Sequence, residues 1–334
     1  MGLDAAAMCD AERMSEPGSD SGDEPAKLSY RVLVIVLIAQ FVIGAALLTW
    51  VAIGRPVPGM AKEAQTGPAG TVAPRAKVNR FDGRRAFKLL QRQVRVYGPR
   101  PAGSDASRRL GDELVKKLPG GEFEEVPGGL RNIVGTLSGT SPPIVIGAHY
   151  DTEATIPGHV GANDGAAGTA AVVELARALA KADRGPSAPE LRFVLFDGEE
   201  EPAGAEDEPF EEVGLRGSKV EAERAPAPRA MVLLDYIAEK NGMHLPRESN
   251  SDRELWKRLR AASQEVGTQA LFPKQSTIAI IDDHVPFIRK GVPSIDLIDF
   301  DYPQRDSTSD DLRHVSERSL DAVGETVLQL LRTW

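Results

Sequence analysis

Cysteine is almost absent from this sequence: among its 334 residues, Cys9 is the single one. An intrachain disulfide needs two cysteines, so none can form, and a cysteine-rich metal site is excluded as well. Basic residues are also in the minority, with 40 Lys and Arg against 49 Asp and Glu and a formal net charge of −9. Because phosphate binding needs a basic patch, nucleic acid is not expected as a partner.

Histidine is scarce too, with five in the chain. Any metal site must therefore combine these histidines with Asp and Glu, donors that suit hard or borderline divalent cations. The length allows one large domain or two ordinary ones. The hydrophobic content of 41% is normal for a chain that folds around a core.

The N-terminal part is predicted to be organised around a membrane. Residues 1–30 are acidic and without apolar periodicity, which predicts a disordered tail. Residues 32–53 carry no charge, are flanked by Arg31 and Arg55, and include Trp50 near one end. As a helix they would span about 33 Å, enough to cross a bilayer. The pattern predicts a transmembrane helix at 31–54 and a single-pass membrane protein whose large domain lies outside the cytoplasm.

The remainder is predicted to be a Pro/Gly/Ala-rich linker, residues 55–76, and one domain, residues 77–334. Short apolar runs alternate there with segments of helical periodicity. This alternation predicts an α/β fold with a mostly parallel central sheet and helices on both faces. The predicted strands are NIVGTL (132–137), PIVIGAH (143–149), LRFVLFD (191–197), AMVLLDYI (230–237), STIAII (276–281) and PSIDLID (293–299).

Several of these strands end on acidic residues or histidine. LRFVLFDGEEEP places Asp197, Glu199, Glu200 and Glu201 directly after a buried strand. Such close carboxylates repel one another and lose hydration when buried, so a cation is expected to hold some of them. Parallel strand ends lie side by side, and His149, Asp151, Asp164 and Asp235 follow or end other runs of this kind. Together they predict a metal site.

The chemistry of these groups suggests their roles. His149 would bind a divalent ion such as zinc through one ring nitrogen, and Asp151 would accept the other N–H and orient the ring. Asp164 has two oxygens and could bridge two ions about 3.5–4 Å apart. Glu199 and Glu200 are adjacent, so their side chains diverge. One could bind metal while the other serves as general base.

Six segments, quoted in chain order, carry a family resemblance: AHYDT, GANDGAAG, LFDGEE, GLRGSK, LLDYI and DDHVPFIRKGVPSIDLIDF. Together they resemble the zinc aminopeptidases of metallopeptidase family 28, clan MH. That family also contains the glutaminyl-peptide cyclotransferases. The resemblance covers about residues 80–333, and it implies a zinc exopeptidase-like fold with one or two Zn²⁺ ions.

The resemblance also implies how the site residues share the metals. His149 and Asp235 resemble the ligands of one zinc, Glu200 resembles a ligand of the second, and Asp164 resembles the bridging carboxylate. Glu199 resembles the general base. In addition, Asp151 matches a residue that orients the histidine, and Asp283 matches an aspartate that cyclases use in the proton network near their zinc.

The resemblance fails at the family's last zinc ligand, a histidine that follows a tryptophan. Here Asp306 stands at the histidine position and Arg305 at the tryptophan position. We expect Asp306 to bind metal through oxygen, which gives an all-carboxylate second site that favours harder ions. The other histidines are expected not to be ligands: His159, His244, His284 and His314.

The leading functional prediction is a membrane-anchored zinc aminopeptidase that acts on peptide N-termini, with Glu199 as general base. A glutaminyl-peptide cyclotransferase, which cyclises an N-terminal Gln at a single zinc, is the alternative. Against it, animal cyclases line their pocket with tryptophan, whereas Trp50, Trp256 and Trp334 all lie away from the motifs. A third reading is a peptide-binding homologue that lost a ligand at Asp306.

Overall fold

The computed structural model describes residue 40, residues 71–205 and residues 207–334. The chain divides into two units, Met1–Glu63 and Ala64–Trp334, and the elements described below belong to the second. Within the described residues, no helix is both long and apolar enough to cross a bilayer. The predicted acidic tail and transmembrane segment lie outside these residues except for Gln40, so both stay predictions.

The second unit alternates strands and helices. The strands are β1 (Glu122–Val126), β2 (Leu130–Leu137), β3 (Thr140–His149), β4 (Pro189–Phe196), β5 (Ala230–Asp235) and β6 (Ser294–Ile298). The α-helices are α1 (Gly83–Arg92), α2 (Asp105–Leu114), α3 (Ala166–Ala180), α4 (Phe210–Val213), α5 (Arg216–Ala222), α6 (Arg253–Val266), α7 (Val285–Arg289) and α8 (Glu317–Arg332). A π-helical segment, Gln93–Tyr97, extends α1, and short 3₁₀ turns cover Val115–Lys117 and Gln269–Leu271.

Several helices begin where a side chain satisfies a free backbone N–H. Ser104 accepts a hydrogen bond from the backbone of Ser107 at the start of α2. Asp252 does the same for Leu255 at the start of α6. Such N-caps offset the unpaired donors of a first helical turn, so the local sequence fixes where these helices begin.

The six strands form one sheet in the order β1-β2-β4-β3-β5-β6. Strands β4, β3, β5 and β6 run parallel to one another, whereas β2 pairs antiparallel with β4 and β1 pairs antiparallel with β2. Ile146 of β3 lies opposite Phe193 of β4 and Val232 of β5. The predicted mostly parallel sheet is therefore confirmed, with two antiparallel strands at one edge.

Alternate side chains of β3 enter two different apolar clusters. Ile144 and Ile146 belong to the larger one, which also holds residues of α1, α3, α6 and α8. Val145 belongs to the second, together with Phe287 of α7 and Ala222 of α5. Because neighbouring strand residues point to opposite faces of a sheet, helices cover both faces, as predicted.

One predicted strand is wrong. Residues 276–281 form no strand, and Ser276 makes an isolated bridge to Arg247. Two of these apolar residues lie at the surface instead: Ile278 and Ile281 are each 47% exposed, and Ile281 lines a cavity. The sequence reading also missed β1, whose residues EFEEV are mostly exposed and pair with β2 at the sheet edge.

The carboxyl ends of the four parallel strands lie at one edge of the sheet. His149 is the last residue of β3 and Asp235 the last residue of β5. Phe196 ends β4 just before the acidic turn, and Ile298 ends β6. Ligands of open α/β sheets bind outside these strand ends, and the candidate site lies there.

Candidate metal centre

A cavity of about 290 Å³ opens at the ends of the parallel strands. Its acidic lining residues are Glu153, Asp164, Glu199, Glu200, Glu201, Asp235, Asp282 and Asp306. Its apolar and aromatic lining residues are Phe210, Tyr236, Ile280, Ile281, Ile298 and Phe300. A larger cleft of about 770 Å³ beside α1 and α8 has five arginines and no histidine among its described lining residues, so the smaller cavity is the candidate for metal chemistry.

His149 lies at the centre of the acidic residues, with its side chain 1% exposed. Its Nε2 is 3.1 Å from Asp164 Oδ1 and 3.4 Å from Asp235 Oδ1. Neither ring nitrogen has a hydrogen-bond partner among the described residues. Two ligands of a tetrahedral zinc, each about 2.0 Å from the ion, lie about 3.3 Å apart. The separations therefore fit a shared divalent ion.

Three residues converge closely enough to hold such an ion. His149, Asp164 and Glu200 are buried, and each offers a ligand atom that lies within 4.8 Å of the other two. Imidazole and carboxylates are the ligands that zinc accepts at catalytic sites. These three side chains therefore lie together, as the sequence predicts, and their donor atoms fit zinc.

The two glutamates follow β4 on a tight turn at Gly198, whose φ is +77°. The backbone N–H groups of Glu199 and Glu200 donate to the two carboxylate oxygens of Asp151, at 3.3 and 3.2 Å. Asp151 therefore holds the acidic turn in place. Its Oδ1 lies 3.7 Å from His149 Nδ1, too long for the predicted orienting hydrogen bond.

Burial governs the acidity of the site. It raises the pKa of Glu199 and of Glu200 well above the usual range, because each loses water around its charged form. Burial also raises the pKa of Asp235 to about 7, although its contact with His149 opposes that rise. Carboxylates packed this closely favour either protons or a metal cation.

Asp164 is positioned by a carboxylate that the sequence reading did not find. Asp310 accepts the backbone N–H groups of Asn163 and Asp164 at 2.9–3.0 Å, and Tyr302 OH donates to it at 2.9 Å. The next residue, Gly165, has a φ of +77°, and a Cβ there would lie 2.8 Å from the carbonyl oxygen of Asp151. The chain can turn this tightly only with glycine at that position.

A buried arginine, also missed from the sequence, holds the same loop from the other side. The Arg100 guanidinium donates to the carbonyl oxygens of Tyr150, Val160 and Gly161, at 2.9, 2.6 and 3.1 Å. Its backbone N–H donates to Thr152 Oγ1 at 2.9 Å. Arg100 therefore ties the end of β3 to the loop that carries Asp164.

The adjacent aspartates at the start of α7 differ in position. Asp282 lines the cavity, whereas Asp283 is fully buried and does not. Burial and the neighbouring Asp282 carboxylate raise the pKa of Asp283 well above the usual range. The aspartate that lines the cavity is thus Asp282, one position before the residue that the resemblance indicated.

Asp306 reaches the edge of the site but is engaged elsewhere. Its side chain is 54% exposed, and its Oδ2 lies 2.6 Å from Arg305 Nη1. Arg305 in turn packs over the Phe300 ring at 4.1 Å. Tyr236 OH, which donates to Asp164 Oδ2 at 2.8 Å, lies 3.3 Å from Asp306 Oδ1. The structure brings Asp306 near the cluster, at its exposed margin.

Of the histidines expected not to be metal ligands, His159 lies against the candidate site. It is buried, and its Nε2 is 3.2 Å from Asp164 Oδ2. His284 is buried beside Glu248, 3.3 Å from its Oε1, and His314 contacts a backbone carbonyl near α8. The segment GHVGAND, in which five positions separate His159 from Asp164 on one loop, was the signal available in the sequence.

The sequence matches the model of a known protein family. The family model described as Peptidase family M28 matches residues 132–331. Aminopeptidase YwaD of Bacillus subtilis (strain 168) is 27% identical over 216 residues, which cover 59% of this chain and 43% of YwaD. The chain therefore spans less than half of that relative.

Two solved structures resemble the fold closely. A glutaminyl cyclase of Porphyromonas gingivalis superposes with a TM-score of 0.65 at 28% identity, covering 76% of this chain and 99% of the other. A leucine aminopeptidase precursor from Bacteroides thetaiotaomicron VPI-5482 gives a TM-score of 0.68 at 25% identity, with coverages of 78% and 99%. Proteins of both names thus share this arrangement of strands and helices.

Proposed function

Because the chain belongs to peptidase family M28, we propose that it is a zinc-dependent aminopeptidase that hydrolyses N-terminal peptide bonds. One observation carries this proposal over a single-metal reaction. His149, Asp164, Glu200 and Asp235 converge, with His149 Nε2 3.1 Å from Asp164 Oδ1 and 3.4 Å from Asp235 Oδ1. These four candidate ligands exceed the three protein ligands of a single catalytic zinc, and the two oxygens of Asp164 can bridge two ions.

The proposed division of ligands between two metals is the one that the family resemblance implies. His149 and Asp235 would hold one zinc, Glu200 would hold a second, and Asp164 would be shared between them. Zinc in such a site polarises a carbonyl group and lowers the pKa of water to about 7. Asp306, at the exposed margin, would contribute at most an outer contact.

Glu199 is the proposed general base. It lines the cavity, and its backbone is fixed by the bond to Asp151 Oδ1, so its carboxylate is held at the strand ends. Burial raises its pKa well above the usual range, which favours a group that accepts a proton and then releases it. Glu199 would take a proton from the attacking water and give it to the leaving amine.

The lining of the cavity suits a peptide amino terminus. The acidic residues attract an ammonium group, while Phe210, Ile280 and Ile281 offer apolar surface to the first side chain. We expect apolar N-terminal residues to be preferred.

Glutaminyl cyclisation is the second candidate. It is supported by the likeness to the Porphyromonas gingivalis cyclase and by Asp282, a second carboxylate in the cavity that could take part in proton transfer. In that reaction Glu199 would carry a proton from the α-amine to the departing ammonia. Against it, no tryptophan is among the described residues that line the cavity, and Trp256 packs with Phe272 in the core.

Steady-state assays of the full chain with zinc test the proposal. Amino-acid anilides report hydrolysis, and Gln-initiated peptides report ammonia release. We expect hydrolysis of the anilides, and Glu199→Gln should lower kcat about 10²–10⁴-fold while zinc content is unchanged. Glu212→Gln, an exposed carboxylate on α4, is the matched control and should retain activity. Ammonia release without anilide hydrolysis would favour the cyclase, and full activity of Glu199→Gln would contradict both.

A further inference from the structure

We infer that His159 is a metal ligand of this centre and supplies the imidazole that position 306 lacks. In this arrangement His159 Nε2 and Asp164 Oδ2 would bind the same divalent ion. The inference rests on the proposed metal-dependent function and concerns which side chain completes the second metal position.

Asp164 has an imidazole against each of its oxygens. His149 Nε2 lies 3.1 Å from Oδ1, and His159 Nε2 lies 3.2 Å from Oδ2. Both histidines are buried. Each oxygen of Asp164 therefore faces the Nε2 of a buried imidazole, at a separation that suits two ligands of one divalent ion.

The second ring nitrogen of His159 sets its tautomer. Nδ1 lies 2.9 Å from the carbonyl oxygen of Ser307. A carbonyl oxygen can only accept, so Nδ1 carries the hydrogen and donates it. In the neutral ring, Nε2 then presents a lone pair toward Asp164. Histidines that bind metals are held in this way, with the other N–H donated to a carbonyl or carboxylate.

A second proton on the ring is the competing explanation. An imidazolium would donate Nε2–H to the Asp164 carboxylate, and such charge-assisted bonds are usually about 2.7–2.9 Å long. The observed 3.2 Å is at the long end of the hydrogen-bond range and is close to the separation of about 3.3 Å between two ligands of one tetrahedral zinc. Tyr236 OH already donates to the same Oδ2 at 2.8 Å, so this oxygen does not depend on His159 for a donor.

The position of Asp306 is consistent with His159 taking the place of a ligand at residue 306. Its side chain is 54% exposed, and its Oδ2 is paired with Arg305 at 2.6 Å. His159 is fully buried against the shared carboxylate. An imidazole held inside the site can replace one that would otherwise come from residue 306.

Nitrogen NMR of the full chain tests the assignment directly. The chain is labelled with ¹⁵N-histidine and loaded with ¹¹³Cd²⁺, a zinc surrogate whose nuclear spin couples to a bonded nitrogen. With five histidines, His159→Gln assigns the resonance. His314→Gln is the matched control, because His314 Nδ1 also contacts a backbone carbonyl, that of Ser309, at 2.8 Å.

We expect cadmium coupling at His159 Nε2, its loss in His159→Gln, and its retention in His314→Gln and in Asp306→Ala. Bound cadmium with no coupling at His159 would overturn the assignment. If His149 is coupled in that case, the proposed function stands and His159 is a protonated residue that positions Asp164. Failure of the chain to bind cadmium or zinc would overturn both the assignment and the metal-dependent function.

Discussion

Replacing Arg100 with methionine should destabilise the loop that carries Asp164. The Arg100 guanidinium is fully buried and donates to the carbonyl oxygens of Tyr150, Val160 and Gly161. Longer contacts reach the carbonyl oxygens of Gly98 and Asp164, at 3.3 and 3.4 Å. Methionine has a similar length but no donor, so these carbonyls would lose their partner.

The size of the effect follows from the three shorter contacts. A buried polar group left without a partner costs about 1–3 kcal/mol, so three carbonyls give about 3–9 kcal/mol. Removing the guanidinium also removes the cost of burying its charge, which is evident because burial lowers the pKa of Arg100 to about 10. We therefore expect a loss near the lower end, about 3–5 kcal/mol of unfolding free energy.

Urea denaturation followed by circular dichroism measures this loss. Arg108→Met is the matched control, because Arg108 also donates to two carbonyl oxygens, those of Gly103 and Gly129, but is exposed. It should cost less than about 1 kcal/mol, since water can replace its donors. Equal losses for the two variants, or a loss below about 1 kcal/mol for Arg100→Met, would refute the reasoning.

Three further predictions concern packing, pH and substrate choice. Gly168→Ala would place a Cβ 2.1 Å from the Leu234 carbonyl oxygen, so α3 must shift away from β5. The free energy of unfolding, measured by urea denaturation, should fall by about 1–3 kcal/mol or more. An unchanged free energy of unfolding would contradict this close contact. Burial, with repulsion from Glu325, raises the pKa of Asp321 to about 6, above the value of about 3.9 in an unfolded chain. The folded state therefore holds this proton more tightly, so the free energy of unfolding should fall as pH rises from about 4 to 6; Asp321→Asn should reduce that fall, and an unchanged pH profile would count against it. Ile281→Ser should raise KM for apolar anilides by about 3- to 30-fold, because an apolar contact with the substrate is lost. The effect on stability should be small, because Ile281 is 47% exposed in the cavity lining. An unchanged KM would remove Ile281 from the substrate site.

The parallel strands explain why much of the site could be predicted from the sequence. Each of these strands is short, apolar and followed by a polar residue, and parallel strands end at one edge. His149 and Asp235 therefore meet although 86 positions separate them in the chain. Residues 276–281 are equally apolar, but they form no strand in the sheet. Whether an apolar segment pairs with a neighbouring strand depends on the fold and is not visible in the sequence pattern.

The residues that contact Asp164 or its loop could not be predicted in the same way. Arg100, His159 and Asp310 lie in loops, where no periodicity links them to the site. In the sequence, Asp310 reads as a turn former in STSDDL, and its contact with the backbone of Asn163 depends on how the whole chain folds. The sequence also could not show that Asp282, rather than Asp283, lines the cavity. Neighbouring side chains at a helix start point in different directions.

Zinc titration of the metal-free full chain by calorimetry tests the central claim most directly. We expect the wild-type chain to bind zinc and Asp164→Asn to bind it at least about 100-fold more weakly, because Asp164 contacts both His149 and His159. Asp112→Asn, an exposed aspartate on α2 paired with Arg131, should bind zinc as tightly as the wild type. Absence of zinc binding by the wild-type chain, or equal affinity of Asp164→Asn, would contradict a metal centre built on this carboxylate.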